Sequence, residues 1–128
     1  MRSDANLFTL RASSHRVAWA LLWILVVGLA VGTATHVENL LRAGLVPRPE
    51  LPLVYNLFWS SLVVLDPLVA AMLVWRPRVG VAFVLALIAV DLLVNVRTLG
   101  ISVPVMAQMA YALLTLITIP IVRAATNG

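Results

Sequence analysis

The stretch "LVVLDPLVAAMLVWRPRVGVAFVLALIAV", Leu62 to Val90, decides the fold. Two apolar runs flank the tripeptide Arg76-Pro77-Arg78. Each run belongs to a block of roughly twenty residues, the length at which an apolar helix crosses a bilayer. So short a connection makes the two blocks antiparallel neighbours. Pro77 suits the first turn of the second helix, where a backbone N–H has no partner to lose.

The same pattern recurs on either side. Apolar spans are read at about 17–33, 54–75, 79–96 and 103–122. The chain has 128 residues, 62% of them hydrophobic and 11% charged. A soluble domain is nearer about half apolar and about a quarter charged. The expected fold is therefore all-α: a four-helix transmembrane bundle, one integral membrane domain over residues 1–128. Arg11 and Arg16 precede span one and small residues follow it, as in a signal peptide. The run is longer and heavier than a signal sequence, with Trp19 and Trp23 inside it, so an uncleaved first helix is expected.

Cysteine is absent, which excludes disulfides, thiolate metal sites and a cysteine nucleophile. All nine basic residues are arginines. They stand singly near span ends, as orienting charges do, and do not suggest nucleic-acid binding. Arg2, Arg11, Arg16, Arg76, Arg78 and Arg123 fall on one side, and Arg42, Arg48 and Arg97 on the other. The positive-inside rule then places both termini in the cytoplasm, in what is expected to be a bacterial inner membrane. Trp59, Tyr55 and Trp75 suit interfacial belts.

Residues 34–53 are read as an extracytoplasmic loop. Its front half, "THVENLLRAGL", has helical spacing. Either helix one continues past the membrane or a short interfacial helix forms there. The back half, "VPRPELP", is proline-rich and extended.

The chemistry lies in polar residues inside the spans. Asp66 is near the middle of span two, where a carboxylate costs roughly 2.5–3.5 kcal/mol on insertion scales. Pro67 follows it and frees the carbonyl of Val63. Counted from the turn at about 1.5 Å per residue, Asp66 lies about 14 Å and Asp91 about 18 Å into the membrane. Two acids at one depth on neighbouring helices suggest a proton relay, a cation site or an acid–base pair. Asn95 lies one turn beyond Asp91. Gln108, Tyr111, Thr115 and Thr118 share a face of span four and read as a wall of the same polar pocket. Gly28 and Gly32 form a small-residue stripe for close helix packing. That stripe leads outward to His36, Glu38 and Asn39, read as an outer mouth. Too few strong ligands stand together there for a metal site, and no cofactor is expected.

Small multidrug exporters carry a glutamate within their first span, and span one here has no acid. Fluoride channels have Ser/Thr-Phe breaks in their third span, and span three here is unbroken. The chain resembles the four-helix sterol-isomerase and sigma-receptor-like proteins in two positions. Glu38 is an acid at the outer end of helix one, and Asp66 is an acid in span two. That resemblance covers few residues, carries no motif and assigns no family.

Three functions fit these residues. The favoured one is a non-enzymatic bundle that binds or transports a small cationic, protonatable or lipophilic substrate in its acidic pocket. The second is an accessory subunit of a larger membrane complex, of respiratory or photosynthetic type. The third is an intramembrane lipid-modifying enzyme. The expected partners are the lipid bilayer and, through helix faces, a second copy or a larger complex.

Overall fold

A computed structural model of the chain describes residues 2–127, and side chains from residue 13 onward. The side chains of Arg2 and Arg11, used above for orientation, lie outside the described residues. Four helices make up the fold: α1 (Arg2–Ala43), α2 (Leu53–Trp75), α3 (Pro77–Leu99) and α4 (Val103–Thr126). All four are long and apolar enough to cross a membrane, α1 over Ser13–Ala43. The segment after span one is continued helix. α1 runs unbroken to Ala43, which leaves residues 44–52 as the connector.

Helix ends follow local chemistry. α1 ends at Gly44, whose φ of 72° closes the helix through a hydrogen bond from its N–H to the Leu40 carbonyl. α3 ends the same way at Gly100, φ 63°, with its N–H on the Val96 carbonyl. Pro77 occupies the first turn of α3, and only Arg76 separates α2 from α3. A Cβ at Gly80 would sit 2.6 Å from the Leu73 backbone, so glycine is what lets α3 start flush against α2.

The helices form a ring in chain order, each packed on the next and α4 closing on α1. The ring divides into two storeys. The storey at the α2–α3 turn is filled by apolar side chains: Leu22, Leu25, Val69, Leu73, Val81, Val84 and Val122. Arg78 ties its rim together, donating to Thr126 Oγ1 (2.6 Å), to the Thr126 carbonyl (2.5 Å) and to Asn127 Oδ1. The opposite storey carries the polar residues.

The connector is folded, not slack. Asn56, fully buried in the first turn of α2, accepts from the Arg48 N–H at 2.8 Å. Its amide donates to the carbonyls of Arg48, Leu51 and Pro52 at 2.9, 3.3 and 3.4 Å. Ser60 Oγ donates to the Leu45 carbonyl at 3.0 Å. One side chain thus replaces the ladder that this irregular segment lacks.

Candidate functional site

The polar storey holds a half-open cavity of about 770 Å³, lined by all four helices and the connector. Its walls are mainly apolar, with Leu29, Leu62, Val84, Leu87 and Ile88 among them. Asp66 and Asp91 both line it and are nearly buried, 5% and 7% exposed.

The two acids have different surroundings. Asp91 sits in a closed polar network. Its Oδ1 accepts from Asn95 Nδ2 at 3.0 Å, and its Oδ2 accepts from Gln108 Nε2 at 2.7 Å. Asn95 Nδ2 also donates to Gln108 Oε1 at 3.0 Å, and Asn95 Oδ1 accepts from Trp59 Nε1 at 3.0 Å. Four side chains from three helices thus satisfy one another around one carboxylate. Asp66 has no hydrogen-bond partner among the described residues. Its Oδ2 lies over Gly32, where an added Cβ would come within 2.8 Å of it. An unpartnered buried carboxylate is costly, and a cation or a proton is what relieves it.

Tyr111 marks the floor. Its hydroxyl donates to the Leu25 carbonyl at 2.6 Å, and its ring occupies the space that a Cβ of Gly28 would need. The Gly28–Gly32 stripe is therefore a packing surface within the chain, receiving Tyr111 from α4 and Asp66 from α2. Pro67 lies inside α2, directly after Asp66.

At the mouth, His36 and Asn39 line the cavity. Glu38 does not line it; it pairs with Arg42 at 2.7 Å on an exposed surface, one helical turn away. Arg42 and Arg48 reach the mouth instead. Arg48 Nε holds Glu50 Oε1 at 2.8 Å, and this bond keeps the exposed Glu50 carboxyl below its usual range. Thr115 and Thr118 do not continue the polar wall. They are buried and donate to their own helix, to the Tyr111 and Leu114 carbonyls. Among the described residues no group of three His, Asp or Glu side chains could hold a metal ion.

Sequence reasoning missed Asn56 and the polar contact of Trp59. The indole N–H of Trp59, a residue that suits an interfacial belt, donates to Asn95 and so joins the Asp91 network. Its level in α2, matching that of Asn95 near the outer end of span three, was the available signal.

No known protein family, characterised protein or solved structure matches this chain. The functional reading therefore rests on the geometry of the cavity.

Proposed function

We propose that the chain is a membrane-embedded binding protein for a small lipophilic cation, with Asp66 as its counter-ion. The carrying observation is the Asp66 carboxylate, buried and unpartnered on the wall of a largely apolar cavity. The volume, about 770 Å³, falls in the range of about 300–1,000 Å³ usual for small-molecule sites. The apolar walls suit a hydrocarbon body, and the acid suits an ammonium head. Both carboxylates line an intrachain cavity, which supports ligand binding over the gripping of a partner helix. Both oxygens of Asp91 already accept hydrogen bonds, which supports a positioning role for it over acid–base work.

The same reading places both termini in the cytoplasm and the cavity mouth on the far side of a bacterial inner membrane. The direct test is equilibrium binding in lipid nanodiscs, with N,N-dimethyldodecylamine as ligand and dodecanol as its neutral counterpart. The wild type binds the amine in preference to the alcohol. Asp66→Asn weakens amine binding by about a hundredfold, as expected when one member of a buried charge pair is removed. Undiminished amine affinity in Asp66→Asn would refute the assignment.

A further inference from the structure

A ligand could reach this cavity from water at the outer end or from the bilayer. The aqueous approach is covered only in part, since Asn39, Arg42 and Ala43 line the cavity there and are also exposed. The connector folds across it, with Pro47 and Arg48 lining the cavity and Asn56 holding the connector down.

The bilayer side is closed only as far as Tyr111. There the α1–α4 seam is sealed by the ring against Gly28 and the hydroxyl on the Leu25 carbonyl. The helices are antiparallel, so one turn outward brings Val31 and Gly32 of α1 level with Ala107 and Gln108 of α4. All four line the cavity. Yet Val31 is 63% exposed and Ala107 is also exposed. Side chains that line a cavity and also face outward mark the edges of an opening. A further turn outward, Thr35 and Pro104 repeat the pattern. On either side of the gap run exposed apolar stripes, Ile24 and Val27 on α1, Met109 and Leu113 on α4. The gap thus opens among lipid-facing side chains, not among polar ones. Ala107 lies four residues into α4, about 6 Å below its outer end. An amphiphile buries its apolar part about 5–10 Å into the headgroup and acyl boundary, so that apolar part reaches this level while the charged head stays at the interface above it.

We propose that the ligand reaches Asp66 sideways from the outer half of the bilayer, through the gap between α1 and α4 bounded by Val31 and Ala107. The substrate class is then a cation that partitions into lipid first, as opposed to a water-borne one. This route rests on the binding reading given above.

The test uses the full chain in nanodiscs and radiolabelled N,N-dimethyldodecylamine, with association and dissociation followed by rapid filtration. Val31→Trp and Ala107→Trp narrow the gap, and both positions face lipid, where a bulky apolar side chain is tolerated. Association and dissociation both slow, by about tenfold, because a raised barrier acts in both directions. Unchanged association in either variant overturns the lateral route. So does faster association in Asn56→Ala, which loosens the connector, because that places the route at the aqueous mouth. A wild-type protein that does not bind the amine at all overturns the binding reading itself, and the route with it.

Discussion

Asp66 and Asp91 are the same residue type at nearly one depth, yet substitution by asparagine should separate them. Asp91 accepts from two amides, Asn95 Nδ2 and Gln108 Nε2. In Asp91→Asn one carboxylate oxygen becomes an NH₂ that faces a donor. At least one buried amide then loses its partner, at a cost of about 1–3 kcal/mol. Thermal unfolding in detergent should show a clearly lowered Tm. Asp66→Asn deprives no described donor of its partner and removes a buried charge, which by itself is unfavourable. Its Tm should be no lower than that of the wild type, while amine binding weakens by about a hundredfold. Equal destabilisation by both substitutions would mean that the two acids do not differ in how well the fold satisfies them.

Between helices, a tight constraint lies on the α1–α4 seam. Alanine at Gly28 meets the Cε2 edge of the Tyr111 ring, which cannot swing away while its hydroxyl holds the Leu25 carbonyl. Gly28→Ala should cost about 1–3 kcal/mol by overpacking. Tyr111→Leu should suppress much of that cost in the double variant, which a double-mutant cycle on Tm measures directly. Additive losses would show that the two residues do not share this contact. The connector offers a second case. The Arg48 N–H is held by Asn56 Oδ1, so Asn56→Ala should speed hydrogen exchange at Arg48 while α2 beyond Ser60 stays protected. These contacts also show what could be read from sequence. The four helices were legible because apolar blocks of bilayer length have few alternatives, and depth follows from counting residues along a helix. The direction a side chain faces does not follow from counting. It depends on how each helix is rotated against its neighbours. That rotation turned Glu38 onto Arg42 and away from the mouth, and brought Gln108 to Asp91. Asn56 carried no periodic signal, because its partners are the backbone groups of an irregular segment.

For the whole molecule, the order of the two storeys sets which leaflet the cavity serves. The apolar storey lies at the end where α2 turns into α3 and where Arg78 meets Thr126 and Asn127. That end also carries Arg16, Arg76 and Arg123. The cavity end carries Arg42, Arg48 and Arg97, with Arg42 and Arg48 at the mouth itself. The proposed orientation, with a cytoplasmic apolar storey and an outward cavity, rests on this arginine excess. Because the chain has no cysteine, single cysteines report orientation without background labelling. Leu45→Cys, on the exposed connector, should react with a membrane-impermeant maleimide on intact cells. Asn127→Cys, beyond the end of α4, should react only after permeabilisation. The reverse pattern would turn the molecule over. The gap between Val31 and Ala107 would then draw on the inner leaflet, and the ligand would have to be a cation supplied from within the cell.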